Sequence, residues 1–108
     1  VRLPLSAVLF VLSSFSKEVP IMFRMWCKQW KQNKMINDVV IENNTSDTRT
    51  HKILDGVVEA CDGWDLSKPI WLDSNIQEFQ KMSKTRFSQD NFIEEIPFDY
   101  LEIQILDE

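Results

Sequence analysis

Hydrophobic and polar positions follow two different patterns along this chain, and the pattern changes near residue 22. The stretch from Leu3 to Phe15 is an almost continuous apolar run with no alternation and no helix cap. From Met22 onward, apolar residues alternate with charged ones or recur at helical spacing, which is typical of a folded domain. We therefore predict one small domain at residues 22–108, and an apolar leader or upstream extension outside the fold at residues 1–21.

The leader at residues 1–21 has two main interpretations, beside a third in which it is an integral part of the fold. One positive charge before the apolar run outlines a secretory signal, but Phe15, Lys17 and Glu18 make a poor cleavage region. The other interpretation is an extension upstream of a natural start at Met22. We favour the extension, which predicts a cytoplasmic protein; a working signal would make it secreted or anchored. A stable membrane span is not expected, because a helical span needs ~20 apolar residues.

The first part of the domain predicts a β-hairpin. Phe23, Met25 and Cys27 alternate with polar residues, which indicates a half-buried strand, although the same stretch also fits helical spacing. Residues 32–34 include an asparagine, which tolerates positive φ and favours a turn. Residues 35–42 contain consecutive β-branched side chains and therefore suit a returning strand.

A first helix is predicted after the polar loop that follows the hairpin. Asp47 or Thr48 can accept hydrogen bonds from the amides of the first turn. Gly63 can supply a left-handed residue at the end of the helix. The apolar residues between these signals form a stripe on one helix face, namely Ile53, Leu54, Val57, Val58 and Cys61.

A second helix is predicted at residues 75–84. Ser74 and Gln77 have the spacing of a capping box. The apolar positions that follow are Ile76, Phe79 and Met82. Residues 85–91 are ambiguous, and a packed return is then predicted from Phe92, Ile93 and Ile96.

Residues 98–107 predict a final strand with one core face, because apolar and polar positions alternate there. The sequence therefore predicts an α+β fold, with an N-terminal β-hairpin, two helices on one face and a C-terminal strand completing a small antiparallel sheet of three strands. The predicted core contains Phe23, Met25, Val39, Ile41, Ile53, Leu54, Val57, Val58, Ile76, Phe79, Leu101, Ile103 and Ile105.

Charge and cysteine content narrow the possible functions. The formal net charge is −5, which disfavours general electrostatic binding to nucleic acid or to anionic membranes. Cys27 and Cys61 match neither a zinc site nor a C-x-x-C redox motif. We expect them to be buried free thiols, with a disulfide as the alternative.

A basic and aromatic cluster in the first strand is the most suggestive chemical feature. Arg24, Lys28, Trp26 and Trp30 would share one face of an extended strand. Cations interleaved with rings are how single-stranded nucleic acid is often held. The acidic segment at residues 90–108 offers a simpler explanation, in which the basic first strand and the acidic last strand pair their charges across a sheet. We favour this explanation.

Catalytic and metal-binding motifs are weak in this sequence. His51 lies four residues from both Asp47 and Asp55, so a carboxylate could orient the imidazole on a helix face, but no partner nucleophile is evident. An exposed surface histidine is the expected outcome. With two glycines in the chain, a phosphate-binding loop is not expected. We therefore predict no catalytic residues, no metal site and no cofactor.

Parts of the domain resemble a family of small bacterial proteins of unassigned function. The similar segments are residues 71–76 (WLDSNI) with 78–79 (EF), and residues 90–96 (DNFIEEI) with 98–103 (FDYLEI). The resemblance covers about residues 23–108 and excludes the leader. It implies a short intracellular protein and assigns no site residue.

The preferred functional prediction is a non-enzymatic module for protein interaction or self-association. Helices on one face of the sheet would leave the other face open, with its aromatic residues presented to a protein partner or to a second copy. The alternative is a single-stranded nucleic-acid-binding protein that uses the same strand. The predicted contact residues are Trp26, Trp30, Tyr100, Arg24 and Lys28.

Overall fold

The computed structural model describes residues 22–108, so the predicted leader at residues 1–21 lies outside the described residues. No helix in the described part is both long and apolar enough to cross a bilayer. The elements are strands β1 (Arg24–Lys31) and β2 (Lys34–Glu42), helices α1 (Arg49–Gly63) and α2 (Asp73–Met82), strand β3 (Lys84–Ser88), a 3₁₀ turn (Gln89–Asn91) and strand β4 (Tyr100–Asp107).

All neighbouring strands of the sheet are antiparallel, and the spatial order is β2-β1-β4-β3. The predicted α+β fold, with its hairpin, two helices and C-terminal strand, is confirmed. The prediction of three strands was wrong, because β3 forms a fourth strand that begins at Lys84, the predicted end of the second helix, and continues into the ambiguous residues 85–91. Only Thr85 and Phe87 of this short strand point into the core, so its alternation was too brief to recognise.

The β1–β2 turn explains the hairpin. Gln32 and Asn33 both adopt left-handed backbone conformations, with φ of 53° and 64°. Positive φ at both central residues is characteristic of the type I′ turn, whose twist matches that of the flanking strands. Gln32 is less suited than Asn33 to a positive φ, and Asp99 stabilises it there. The carboxylate of Asp99 accepts a hydrogen bond of 2.8 Å from the amide of Gln32.

Helix α1 begins and ends where the sequence predicts, but its last turn is built differently. Thr48 caps the helix and accepts a hydrogen bond from the amide of His51. The left-handed residue after the helix is Asp65, with φ of 58°, whereas Gly63 has negative φ. Gly56 lies close to the sheet: a Cβ at this position would lie 2.7 Å from Cε of Met25, so the end of that flexible side chain would have to shift.

Helix α2 starts two residues earlier than predicted. The Ser74–Gln77 capping box was wrong, since the helix begins at Asp73 and Leu72 occupies the N-cap position. Asn75 supplies the cap instead, because its side-chain oxygen accepts a hydrogen bond of 3.1 Å from the amide of Leu72. The helix stops at Ser83, which adopts φ of 55° before β3 begins.

The core lies between the sheet and the two helices. Most of the predicted core residues are buried there, and Val39 and Ile105 are partly buried. Leu54, Val58 and Ile76 were predicted as core but are exposed. The apolar stripes of the helices are wider than the parts of the helices that contact the sheet. Core residues that the predicted set did not include are Cys27, Ala60, Cys61, Phe87, Phe92 and Phe98.

Cys27 and Cys61 are free and buried, as predicted, with no disulfide between them. Burial raises the pKa of the Cys27 thiol to about 12, with smaller contributions from Cys61 and Glu59. Burial also raises the pKa of Cys61 to about 11, aided by Asp62. Both side chains are therefore protonated at neutral pH and serve as small apolar core residues.

Candidate interaction surface on the outer sheet face

The outer face of the sheet is the face opposite α1 and α2, and it collects side chains from all four strands. In the register of the central strands, Lys28 lies opposite Glu102, and Trp30 lies opposite Tyr100. In β3, Arg86 pairs with Glu102. We call the following set the outer-face layer: Trp26, Lys28, Trp30, Arg86, Tyr100 and Glu102.

An ion pair lies at the centre of the outer-face layer. Nζ of Lys28 is 3.1 Å from Oε1 of Glu102 and donates a hydrogen bond of 3.1 Å to Oε1 of Gln104. Arg86 approaches the other carboxylate oxygen of Glu102 at 3.4 Å. Although this face is not covered by a helix of the described chain, Lys28 and Glu102 are only 7% and 6% exposed. The neighbouring side chains therefore shield the pair from solvent.

Aromatic rings flank this ion pair on both sides. Nζ of Lys28 lies 4.2 Å from the ring centroid of Trp26, and the guanidinium of Arg86 lies 4.6 Å from that of Tyr100. The rings of Trp30 and Tyr100 stack with centroids 6.3 Å apart. Cation–π contacts and ring stacking of this kind bring charges and rings into one continuous surface.

Hydrogen bonds fix the orientation of both indoles. Nε1 of Trp30 donates to Glu102 over 3.2 Å, and Nε1 of Trp26 donates to Asp38 over 2.9 Å. Each indole is half-buried, so one part of the ring contacts the sheet and the other part faces solvent. The outer-face layer is therefore an ordered, partly exposed aromatic surface.

Four of the five predicted contact residues lie together in the outer-face layer, namely Trp26, Lys28, Trp30 and Tyr100. The fifth, Arg24, lies outside this layer. Arg24 lies at the start of β1 and pairs with Asp107 at 2.7 Å, where both side chains are exposed. The predicted pairing of the basic first strand with the acidic last strand is confirmed by this pair and by Lys28–Glu102. Sequence reasoning missed Arg86, because β3 was not recognised as a strand.

The electrostatics of the central pair favour ionised Glu102. Burial by itself would raise the pKa of this carboxyl group. The hydrogen bond and the positive charge of Lys28, followed by those of Arg86, outweigh burial and hold the pKa of Glu102 below its ordinary value. The folded chain therefore binds a proton at Glu102 less readily than the unfolded chain does.

Acid should consequently weaken the fold through Glu102. The stabilisation is fully present above the unfolded pKa of a glutamate, about 4.3, and is lost as pH falls through the lower folded pKa. We expect Glu102→Gln to reduce the fall in unfolding free energy between about pH 5 and pH 3, which urea denaturation at a series of pH values measures. An equal fall in Glu102→Gln and in the unsubstituted chain would contradict this assignment.

His51 is an exposed surface residue, as expected, and its nearest carboxylate is Asp47. Nδ1 of His51 lies 3.0 Å from Oδ1 of Asp47. The hydrogen bond to His51, and then that from the Thr48 amide, lower the pKa of Asp47. Within residues 22–108, no group of three His, Cys, Asp or Glu side chains could hold a metal ion.

Comparisons with known protein families, with curated proteins and with solved structures found no match for this chain. The resemblance to small bacterial proteins over about residues 23–108 therefore stays a prediction.

Proposed function

We propose that this chain is a non-enzymatic protein-interaction module that binds its partner through the outer-face layer. The observation that supports the proposal is the arrangement of half-buried Trp26, Trp30 and Tyr100 on a sheet face that none of the described helices covers. Large aromatic side chains contribute most of the binding energy at protein interfaces. An ordered aromatic surface with a central charge pair has the composition of such a contact.

Preorganisation of the rings favours this role. Trp26 and Trp30 each have an Nε1 hydrogen bond within the sheet, and Tyr100 is stacked between Trp30 and Arg86. A partner would therefore not have to immobilise these side chains, and the side-chain entropy lost on binding would be small.

A second copy of the chain is the first partner to test. The outer face carries charges of both signs, since Lys28 and Arg86 lie beside Glu102, and Asp38 lies on the edge strand. A mixed surface can match itself across a two-fold axis, where every contact occurs twice.

The nucleic-acid alternative has weaker support. Arg24, Lys28 and Arg86 are paired with the carboxylates of Asp107 and Glu102. A phosphate backbone would have to displace both carboxylates, and Glu102 is shielded from solvent. No binding of single-stranded DNA or RNA at low salt would remove this alternative.

A lysine placed on the outer face tests the proposed function while leaving the rings intact. Val40 lies opposite Trp26 on the edge strand and is 40% exposed. We expect Val40→Lys to weaken self-association at least about tenfold, because burying the added ammonium group in an aromatic contact costs more than the ~1.4 kcal/mol that a tenfold change requires. Sedimentation velocity of the whole chain over a range of concentrations measures this change.

Val58→Lys is the matched control. Val58 is 36% exposed on α1, on the opposite side of the sheet, so the same substitution adds the same charge away from the outer-face layer. Both variants keep residues 1–21, and association through that apolar run would respond equally to both.

If the chain is a monomer, a photo-crosslinker at positions 40 and 58 tests for another protein. Crosslinks that do not favour position 40, in a chain that does not self-associate, would disprove the proposal.

A further inference from the structure

A second surface, separate from the outer-face layer, lies between the two helices. Helix α1 packs over β1 and β2, while α2 packs over β3, and a groove of about 430 Å³ separates their exposed sides. This volume is in the range of small-molecule clefts, about 300–1,000 Å³. The two helices therefore share the sheet without closing the space between them.

The lining of the groove is mainly apolar. Buried Ile53 and Phe79 and half-buried Trp71 form its base, and exposed Leu54 and Ile76 line its sides. Leu54 and Ile76 are 41% and 43% exposed, although both continue the apolar stripes of their helices. Apolar side chains on two facing walls can enclose an apolar ligand.

Among residues 22–108, Arg49 is the one charged residue that lines this groove, and it is paired with a carboxylate. Arg49, from the first turn of α1, places its guanidinium 5.5 Å from the ring centroid of Phe79. Its Nε forms an ion pair with Glu108, and its Nη2 lies 3.5 Å from the second carboxylate oxygen of that residue. This two-point contact is the geometry by which arginine binds a carboxylate. Both side chains remain substantially exposed, so a competing carboxylate can reach Arg49.

We propose that the groove between α1 and α2 binds a small amphipathic monocarboxylate. Its apolar chain would lie along Leu54, Trp71 and Ile76, and its carboxylate would replace that of Glu108 on Arg49. Charge complementarity selects an anionic head group, since Arg49 is the one charged residue in the described lining and its partner Glu108 is an exposed carboxylate that a single ligand carboxylate can replace. The apolar side chains that line the groove beside Arg49 favour an aliphatic or aromatic tail over a polar one.

Decanoate is a suitable probe, used below its micelle concentration with the methyl-labelled whole chain. We expect titration to shift the NMR methyl signals of Leu54 and Ile76. Arg49→Gln should weaken binding about tenfold, because a hydrogen bond to a charged group contributes ~1.5 kcal/mol. Glu108→Gln should tighten binding, because it removes the competing carboxylate. Lys81→Gln, at the end of α2 outside the lining, removes the same charge and should leave the affinity unchanged.

A cationic probe with the same apolar chain, decyltrimethylammonium, distinguishes this site from general apolar adsorption. Equal binding of the two probes, or equal affinities for decanoate in the Arg49→Gln and Lys81→Gln variants, would overturn the proposal. An absence of shifts at Leu54 and Ile76 would overturn it as well. Shifts at these methyl groups that grow with protein concentration alone would show that a second copy occupies the groove, and would also reject the carboxylate ligand.

Discussion

Asn75→Ala is expected to destabilise the domain by about 3 kcal/mol, because it removes the centre of a buried hydrogen-bond network. The side-chain nitrogen of Asn75 donates to Oγ1 of Thr85 at 2.9 Å and to the carbonyl of Arg86 at 2.8 Å. Its oxygen accepts from the amide of Leu72 and from Nδ2 of Asn91. The alanine variant would remove the bonds to the amide of Leu72 and to the carbonyl of Arg86, at ~1–3 kcal/mol each. Thr85 and Asn91 would keep their bonds to Glu78 and to the carbonyl of Ile70.

The network that Asn75 organises connects α2 to three other parts of the chain. Asn91 continues it by donating to the carbonyl of Ile70 and by accepting from the amide of Ser88. The segment before α2, strand β3 and the 3₁₀ turn are therefore held by two asparagine side chains. We expect loss of Asn75 to loosen all three together, which hydrogen exchange of the Ile70 and Ser88 amides would detect.

Asn44→Ala provides the matched control for Asn75→Ala. Asn44 is exposed in the loop between β2 and α1. We expect its loss to cost below about 1 kcal/mol. Urea denaturation compares the two variants. Similar midpoints for both would show that the buried network does not contribute as described.

Lys28→Met is expected to destabilise the domain by about 2 kcal/mol. The substitution leaves the carboxylate of Glu102 shielded from solvent, with Arg86 at 3.4 Å as its remaining cationic partner. Removing one member of a fully buried pair costs ~3–5 kcal/mol. Arg86 and the solvent close to this open face reduce the cost here. The pH dependence attributed to Glu102 should decrease in the same variant, because Lys28 is the main group that lowers the pKa of Glu102.

The double variant Lys28→Met with Glu102→Leu isolates the cause of this loss. Replacing both members of a shielded ion pair by apolar residues is often neutral or stabilising. We therefore expect the double variant to recover most of the stability that Lys28→Met loses. Lys31→Met, at an exposed position on the same strand, should change stability by less than about 0.5 kcal/mol. A double variant less stable than Lys28→Met would contradict the explanation.

Local patterns were enough to predict the hairpin, helix α1 and the two faces of β4. Leu101 and Ile103 alternate with Tyr100 and Glu102, and the structure buries the first two completely. The alternation from Tyr100 to Ile105 is strong evidence for a strand because the side-chain period is two. Strand β3 has five residues, of which two are buried, and a pattern of that length does not distinguish a strand from a loop.

The candidate surfaces were predictable to different degrees. Trp26, Lys28 and Trp30 could be assigned to one face from their spacing in β1. Arg86 could not be assigned, because its position beside Glu102 depends on the pairing of β3 with β4. The helix groove could not be predicted either. Periodicity shows which side chains share a helix face, but not whether another element covers them.

The sequence by itself determined the class of fold, the hairpin, the N-terminal cap of α1 and the basic-to-acidic strand pairing. These features depend on residues close together in the chain or on the sign of charge, and both can be read directly. Only the tertiary structure decided that Lys28 and Glu102 become a shielded pair among aromatic rings, and that Leu54 and Ile76 line an open groove between the helices. The physical reason is that burial depends on which distant elements pack together, and a linear pattern of apolar residues does not specify those neighbours.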